Sequence, residues 1–324
     1  MPTYPTPLSV CWEIMRSLAL LILSSAVAFA ANSPFDGRWD ITVAGDSARA
    51  WWLGLEGAGT PAAKGTFISD HWGALNPIDE ISVQGNELTF GFRYKQGGRE
   101  IHHVYSAHIE GGRLIGTFTP DGAPSSTLHW TGVHAPVIRD KDDGSWREGK
   151  PIALFDRKTT SGWKSLTPEK PFGWTVENGL LTSTGGASNL ISERKFWNFK
   201  LHVEFRLAKE SNSGIGLRAR YEVQILDDYG RPPDTHGNGA LYSRILPTEN
   251  ASKPAGAWQT YDIRFVGRQV TVVLNGRKVI DKGEVEGLTA IASDAHEGQP
   301  GPLILQGDHG PVEFREIVLT PLVK

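Results

Sequence analysis

Apolar and polar residues alternate with a period of two along much of this chain. Lys200 to Leu207 carries apolar side chains at its second, fourth, sixth and eighth positions and polar side chains between them. Side chains two apart in a strand share a face, so the pattern predicts a half-buried antiparallel strand. Trp258 to Val266 and Val312 to Thr320 alternate in the same way. Segments of helical period and useful length are absent from residue 151 onward, which favours an all-β fold.

Two short segments of the C-terminal half have the signature of a tight hairpin. Trp174 to Thr182 contains Asn178-Gly179, and Val270 to Val279 contains Asn275-Gly276. Asn-Gly suits the two-residue turns that join antiparallel strands. With the alternating strands, these hairpins predict a jelly-roll β-sandwich over residues 151–324.

The N-terminal half shows shorter β-like segments separated by turns that often contain glycine. They predict a smaller antiparallel barrel or sandwich over residues 35–134. A charged, glycine-bearing stretch at residues 135–150 is predicted to be the linker. The seven segments are Arg38 to Val43, Ala50 to Leu55, Gly65 to Ile68, Glu87 to Tyr94, Ile101 to His108, Arg113 to Phe118 and Thr127 to Val133.

The first thirty residues have the pattern of an export signal. Arg16 precedes an apolar run that ends in Ala28-Phe29-Ala30, which predicts a signal peptide over residues 1–30 with cleavage after Ala30. Met15 is interpreted as the true start. The alternative, a membrane anchor, needs roughly 20 apolar residues, and this run is shorter. We therefore expect a periplasmic or extracellular protein with no stable membrane insertion after cleavage.

Charge and cysteine content narrow the classes of partner. The formal net charge is −3, and no long run of Lys or Arg is present, so the sequence gives no electrostatic sign of nucleic-acid binding. The single cysteine, Cys11, lies in the predicted signal region. The mature chain would then contain no disulfide and depend on packing for its stability. The oligomeric state stays open.

The stretch Tyr221 to Asp228 is the best candidate for a strand that carries chemistry. Glu222 and Gln224 are two residues apart and therefore share a face, while the alternate positions Tyr221, Val223 and Ile225 are apolar and predict a core-facing side. A bulge of one residue would bring Asp227 round to join them. The polar face is expected to line a groove and to form the active site.

Several motifs, in the same order, resemble those of the 3-keto-disaccharide hydrolase domain family over about residues 151–322. The resemblance implies a concanavalin-like jelly roll whose concave sheet holds sugars. It also implies substrates that are glycosides already oxidised to a ketone at sugar carbon 3. The motifs are Leu154-Phe155-Asp156 with Gly162-Trp163, Asn212-Ser213-Gly214-Ile215, Tyr221 to Asp227, Gly239-Ala240-Leu241-Tyr242, Lys253-Pro254-Ala255-Gly256 with Trp258, Leu274-Asn275-Gly276, and Leu305-Gln306 with His309-Gly310 and Phe314-Arg315.

Such a ketone makes the proton on carbon 2 acidic, so hydrolysis can proceed by elimination followed by addition of water. That route needs a base near carbon 2, a donor for the enolate oxygen and an acid for the leaving group. We assign Glu222 as the base, because burial in a groove raises the pKa of a carboxyl. A surface pair of Glu222 with an arginine is the structural alternative.

Two further residues complete the predicted catalytic set. His309 is expected to donate to the enolate oxygen or to act as the alternative base, since its reference pKa lies near neutrality. Asp227 is expected to protonate the leaving group. Alternatively, Asp227 joins Asp228 and His236 in a site for a divalent metal ion, although these three equally form an ordinary turn cluster.

The residues expected to bind a small carbohydrate carry hydrogen-bonding or aromatic side chains. Arg218 and Arg220 enter this set because they share the parity of Glu222 if the strand direction persists. The full predicted set is Arg218, Arg220, Gln224, His236, Tyr242, Lys253, Trp258 and Gln306.

Two other functions fit the same sequence. A conventional retaining glycosidase would use Glu222 as nucleophile and Asp227 as acid, with carboxyls about 5 to 5.5 Å apart. A non-catalytic carbohydrate-binding module would need aromatic platforms and no base. The role of residues 35–134 stays open between sugar binding and shielding of the neighbouring groove.

Overall fold

The computed structural model describes residues 33–45, 50–69, 74–120 and 126–324. These residues form 23 strands and no α-helix, which confirms the predicted all-β fold with a C-terminal jelly roll. No helix long and apolar enough to cross a membrane occurs in the described ranges. The predicted signal peptide, with Cys11 and Met15, lies outside them.

The N-terminal half forms one antiparallel sheet of nine strands, in the order β4-β3-β2-β1-β9-β8-β7-β6-β5. The predicted segments all correspond to strands of this sheet, and the short strands β4 and β5 were not predicted. The strands are β1 (Gly37–Val43), β2 (Ala50–Glu56), β3 (Lys64–Ile68), β4 (Asn76–Pro77), β5 (Glu80–Gln84), β6 (Glu87–Gln96), β7 (Arg99–Glu110), β8 (Arg113–Phe118) and β9 (Leu128–His134).

The two faces of this nine-stranded sheet are buried in different cores. Trp39, Ile41 and Trp51 belong to an aromatic-rich core within the sheet itself. Alternate positions on β2, Ala50 and Trp52, belong instead to the core of the C-terminal half. Period-two alternation therefore sends one face inward and the other against the jelly roll.

The C-terminal half forms two further antiparallel sheets that enclose one apolar core. The larger sheet has the order β13-β14-β23-β16-β19-β20-β21, with β10 and β11 also paired to β23, and the smaller has the order β12-β15-β22-β17-β18. The strands are β10 (Arg147–Glu148), β11 (Ile152–Ala153), β12 (Trp163–Ser165), β13 (Trp174–Glu177), β14 (Leu180–Ser183), β15 (Leu190–Ser192), β16 (Phe199–Leu207), β17 (Asn212–Leu217), β18 (Tyr221–Leu226), β19 (Gln259–Val266), β20 (Gln269–Leu274), β21 (Arg277–Glu284), β22 (Ile304–Leu305) and β23 (Val312–Val323).

Both predicted Asn-Gly hairpins are present. Asn178 and Asn275 have positive φ of 53° and 52°, and a glycine with positive φ follows each of them. This backbone matches the twist of the strands that it joins.

The segment at residues 135–150, predicted to be a linker, packs against the jelly roll. The Asp142 carboxylate accepts two hydrogen bonds of 2.8 Å from Arg264, and Asp140 accepts bonds from Trp197 and Asn198. Near the end of the segment, Arg147–Glu148 forms β10, which pairs with β23. The domain boundary at this segment stays a prediction.

Candidate active site

The candidate site lies on the hairpin of β17 and β18, in the smaller sheet of the jelly roll. The two strands pair in a continuous register, with Gly214 opposite Gln224 and Gly216 opposite Glu222. The predicted bulge is absent, and Asp227 follows the last residue of β18. Glu222 and Gln224 share a face, as the alternation predicts, and the alternate residues Tyr221, Val223 and Ile225 are packed into the jelly-roll core.

The carboxyl of Glu222 lies directly over Gly214. A Cβ atom at position 214 would lie 2.2 Å from Oε1 of Glu222, so only glycine leaves room for this side chain. Glu222 is 3% exposed, and no Lys or Arg of the described residues forms a salt bridge with it. With the Gln224 amide turned to satisfy its neighbours, its nitrogen donates to Glu222 Oε1 at 3.3 Å and to the Ser213 carbonyl at 3.2 Å.

The surroundings of Glu222 favour its protonated form. Burial raises its pKa from 4.5 to about 8, and the nearby Asp308 adds to this rise while His309 opposes it. A carboxyl that keeps its proton near neutrality becomes a strong base once it loses that proton.

His309 and Asp308 form a hydrogen-bonded pair whose charges act on Glu222. His309 Nδ1 lies 2.8 Å from Asp308 Oδ1, and Lys170 Nζ lies 3.4 Å from the other oxygen of Asp308. The carboxylate raises the pKa of His309, first through this hydrogen bond, and Glu222 raises it further. For Asp308 itself, burial acts to raise the pKa, but the His309 hydrogen bond and charge outweigh it and the pKa is lowered.

Tyr242 lies beside Glu222, on a neighbouring segment of the same polypeptide. Its backbone N–H donates to the Glu222 carbonyl at 2.9 Å. Burial raises the pKa of the Tyr242 phenol, and Glu222 and Asp234 raise it further. The His236 ring packs edge-on against Tyr242 with centroids 4.7 Å apart, and the His236 backbone N–H donates to Asp234. His236 thus supports Tyr242.

Gln306 extends the same face beyond β22. Its backbone N–H donates to the Gly214 carbonyl at 2.9 Å. The side-chain oxygen Oε1 is buried and has no hydrogen-bond partner within the described part of the chain. A buried acceptor without a donor is costly, and a ligand hydroxyl would satisfy it.

Arg218 and Arg220 lie in the turn between β17 and β18, where the strand direction does not persist. Arg218 has φ of 51° and is fully buried, donating to the carbonyls of Trp197 and Gly267 and to the Asn198 side chain. Arg220 donates to Asp294 at 2.7 Å and to the Gln299 carbonyl at 2.8 Å. The prediction that these arginines share a strand face with Glu222 is therefore wrong. Both guanidinium groups donate their hydrogen bonds to other groups of the protein.

Trp258 and Lys253 lie at the larger sheet of the sandwich. The Trp258 ring lies beneath the guanidinium groups of Arg206 and Arg315, at 4.9 and 4.3 Å from its centroid. Lys253 donates to the Trp258 carbonyl at 3.1 Å. Because Arg206 extends from β16 on the side opposite its core residues, this group lies across the core from Glu222.

The residues of the predicted metal cluster do not converge. Asp227 accepts a hydrogen bond of 2.8 Å from the Glu210 backbone N–H, and Asp228 accepts from Ser252 and from the Asn238 backbone. His236 is engaged with Asp234. Among the described residues, no group of three or more His, Cys, Asp or Glu is placed to hold a metal ion.

Three residues around Glu222 escaped the sequence reasoning, namely Lys170, Asp308 and Gly214. Asp308 adjoins His309 and so could have been proposed as its partner. Lys170 is 138 positions from Asp308, and only the fold brings the two together. The Asn212-Ser213-Gly214 motif gives no sequence signal for this role, and the structure places Gly214 within β17 beneath a carboxyl.

Residues 150–320 match the 3-keto-alpha-glucoside-1,2-lyase-like domain family, which covers just over half of the 324 residues. The chain belongs to this family. Glu222, Tyr242, Gln306 and His309 all lie within the matched region of the family domain. The N-terminal sheet lies outside it.

A curated relative is the 3-keto-disaccharide hydrolase of Bacteroides thetaiotaomicron. It is 26% identical over 166 residues, which cover 40% of this chain and 57% of the relative, so the match spans just over half of that protein. A crystal structure of a candidate glycosyl hydrolase from Parabacteroides distasonis is 27% identical, covers 57% of this chain and 90% of its own, and has a TM-score of 0.46. A second from the same organism is 20% identical, with coverages of 53% and 94% and a TM-score of 0.44.

Proposed function

We propose that this protein cleaves 3-keto-glycosides, including 3-keto-disaccharides, with Glu222 as the base that removes the proton from sugar carbon 2. The observation that carries the proposal is the buried carboxyl of Glu222, with no salt-bridge partner among the described residues and a pKa raised to about 8, inside the family domain. Burying a carboxyl of this kind costs stability, and carboxyls with such perturbed pKa values are concentrated at functional sites. The name of the Bacteroides relative supports the substrate class.

The proposed reaction has two stages. Glu222, as the carboxylate, takes the proton from carbon 2, the electron pair forms the enolate of the carbon-3 ketone, and the bond from carbon 1 to the glycosidic oxygen breaks as an acid protonates that oxygen. Water then adds across the carbon 1–carbon 2 double bond, with hydroxyl going to carbon 1 and hydrogen to carbon 2. The sum is hydrolysis.

The neighbours of Glu222 supply the other groups that this reaction needs. His309 is half-exposed and shares a hydrogen bond with Asp308 that favours the imidazolium, which suits a donor to the enolate oxygen. We assign the Tyr242 phenol, whose pKa responds to Glu222, as the acid for the leaving group in place of Asp227, whose carboxylate accepts a backbone hydrogen bond beyond the strand. The buried Oε1 of Gln306 would accept a sugar hydroxyl.

The test compares a 3-keto-disaccharide with its unoxidised parent, with and without a chelator. Glu222→Gln should keep the shape of the side chain and lose at least about 10²-fold in rate. The matched control is Glu204→Gln, because Glu204 is also on a strand of the jelly roll but pairs with Arg315 on the larger sheet. Unchanged turnover in Glu222→Gln rules out Glu222 as base.

The same assay separates the rival functions. A retaining glycosidase would cleave the unoxidised parent, and a binding module would bind both sugars without cleaving either. Loss of turnover with the chelator would indicate a metal ion held by ligands other than the set of Asp227, Asp228 and His236.

We also propose that the chain is exported to the periplasm or the extracellular space. The support is the pattern of Arg16, the apolar run and Ala28-Phe29-Ala30. N-terminal sequencing of the protein from its native host should give Ala31 as the first residue, and a chain that still begins at Met1 or Met15 would contradict the proposal.

A further inference from the structure

We infer that the N-terminal sheet is part of the active-site scaffold, with Asp40 as a positioning residue that acts on Glu222 through Glu297 and Tyr221. The inference rests on the proposed function only for its kinetic readout. It assigns a role to a sheet that lies outside the matched family domain.

The link begins at a buried carboxylate between the two halves. Glu297 has no exposed surface, and it accepts a hydrogen bond of 2.6 Å from the Tyr221 hydroxyl. Arg268 donates to both of its oxygens at 2.8 and 2.9 Å. Tyr221 directly precedes Glu222 in β18, so Glu297 fixes the strand position next to the proposed base.

Asp40 joins this group from β1 of the N-terminal sheet. It is 1% exposed, neither of its carboxyl oxygens receives a hydrogen bond from the described residues, and Glu297 is the carboxylate that acts on it. Burial raises the pKa of Asp40 to about 9, and the charge of Glu297 adds to the rise. As a neutral acid, Asp40 would find in Glu297 the acceptor that its proton needs, and the buried group would then hold one anion and one cation, Glu297 and Arg268.

A loop that carries Glu297 also holds the backbone of Glu222. Thr289 Oγ1 accepts from the Glu222 N–H at 2.9 Å, and the Thr289 N–H donates to the Arg220 carbonyl at 3.0 Å. The N-terminal sheet is bonded to this loop, because the Ala50 N–H donates to the Ala292 carbonyl at 3.0 Å. A shift of the sheet would therefore move the loop and the strand together.

A second set of contacts joins the N-terminal sheet to Ser243 and Arg244, the two residues that follow Tyr242. The Leu75 N–H donates to Ser243 Oγ at 2.9 Å. The guanidinium of Arg244 lies 4.5 Å from the centroid of the Trp52 ring and donates to the Leu288 carbonyl at 2.6 Å. Tyr242 and Glu222 are thus both braced from the N-terminal sheet, along the edge of β18 that does not pair with β17.

The experiment compares Asp40→Ala with Asp40→Asn in the full chain. Ala removes the donor to Glu297, whereas the Asn amide keeps one. Hydrogen exchange of the amides at residues 220–224 and 289 should be at least about tenfold faster in Asp40→Ala and close to wild type in Asp40→Asn, because only the first leaves Glu297 short of a donor. Amides of β23 should not change in either variant.

The kinetic readout is a fall in kcat of at least about tenfold for Asp40→Ala with KM within about twofold, rescued by Asp40→Asn. The control is Arg113→Gln, an exposed change on the β7–β8 hairpin. Should Asp40→Ala fail to fold, Ser243→Ala removes the Leu75 bond and should speed exchange at Tyr242 and Glu222. Wild-type exchange in whichever of these variants folds overturns the inference, whereas absence of turnover in the wild type overturns only the proposed function.

Discussion

Glu222 makes the stability of this protein depend on pH. Its pKa is 4.5 in the unfolded chain and about 8 in the folded protein, so between these values the unfolded state has lost a proton that the folded state keeps. The contribution to stability is fully present below pH 4.5 and falls as pH rises to about 8, by on the order of 3 to 5 kcal/mol.

Glu222→Gln cannot ionise and should therefore escape this loss. We expect the variant to gain stability over the wild type as pH rises from 5 to 8, measured by urea unfolding at both values. Glu204→Gln should not show this gain, since the partner of Glu204, Arg315, lowers the pKa of that carboxyl instead. Parallel curves for wild type and Glu222→Gln would show that the carboxyl is ionised in the folded state.

The Asp308–His309 pair sets the pH dependence of the reaction. The active form needs Glu222 without its proton and His309 with its proton, although the pKa of Glu222 lies at about 8 and that of His309 rises from 6.5. The rate therefore depends on the protonation of both groups, and the pH–rate profile is a bell whose limbs belong to the coupled pair.

Asp308→Asn should lower the pKa of His309, because the charge of the hydrogen-bonded partner is gone. The limb of the bell that belongs to His309 then moves to lower pH, measured as kcat from pH 5 to 9. Lys170→Met is the companion variant and should shift the same limb much less, because the Lys170 ammonium contacts Asp308 and not the His309 ring. A profile unchanged by Asp308→Asn would remove His309 from the mechanism.

At the scale of the strand pair, Gly214 determines whether Glu222 can lie on its face of the sheet. Gly214→Ala places a methyl group 2.2 Å from Oε1, so the carboxyl must move. We expect a loss of about 1 to 3 kcal/mol in unfolding free energy and a strong loss of turnover. The same substitution combined with Glu222→Ala should cost much less stability, since the clashing atoms are absent.

The matched control for this prediction is Gly149→Ala, where the nearest atom to the added Cβ is the Pro321 carbonyl oxygen at 3.3 Å. It should change stability and turnover little. Equal destabilisation by Gly214→Ala with and without Glu222 would mean that the glycine serves the backbone rather than the carboxyl.

Strand positions and faces were predictable because they depend on local pattern. The alternation in β16 and the Asn-Gly turns at 178–179 and 275–276 gave the strands and hairpins, and the same alternation placed Glu222 and Gln224 together. The turn at Arg218-Ala219 was not predictable, because it takes positive φ at both positions without Gly or Asn.

The sequence could not predict which distant strands and loops lie next to each other, for a different reason. A period of two gives the face of a strand but not which sheet of the sandwich holds it, so Trp258 was grouped with Glu222 although it lies against Arg206 and Arg315 of the larger sheet. The pairing of Lys170 with Asp308 likewise depends on loops that only the complete fold brings together.

For the whole molecule, the two halves share buried groups that neither would satisfy alone. Ala50, Trp52 and Ile68 of the N-terminal sheet are packed into the jelly-roll core. Asp40 of the N-terminal sheet and Glu297 of the C-terminal half are both buried and interact electrostatically, so the two halves are coupled through these carboxyls.

We therefore expect residues 33–324 to unfold in a single cooperative transition, despite two predicted domains. Differential scanning calorimetry should give equal calorimetric and van't Hoff enthalpies, the test of a two-state transition. Asp40→Ala should lower the cost of separating the halves and split or broaden this transition, whereas Arg113→Gln should leave it single, because Arg113 is exposed on a hairpin. Two transitions in the wild type would mean that the halves are independent and that the N-terminal sheet does not brace the site.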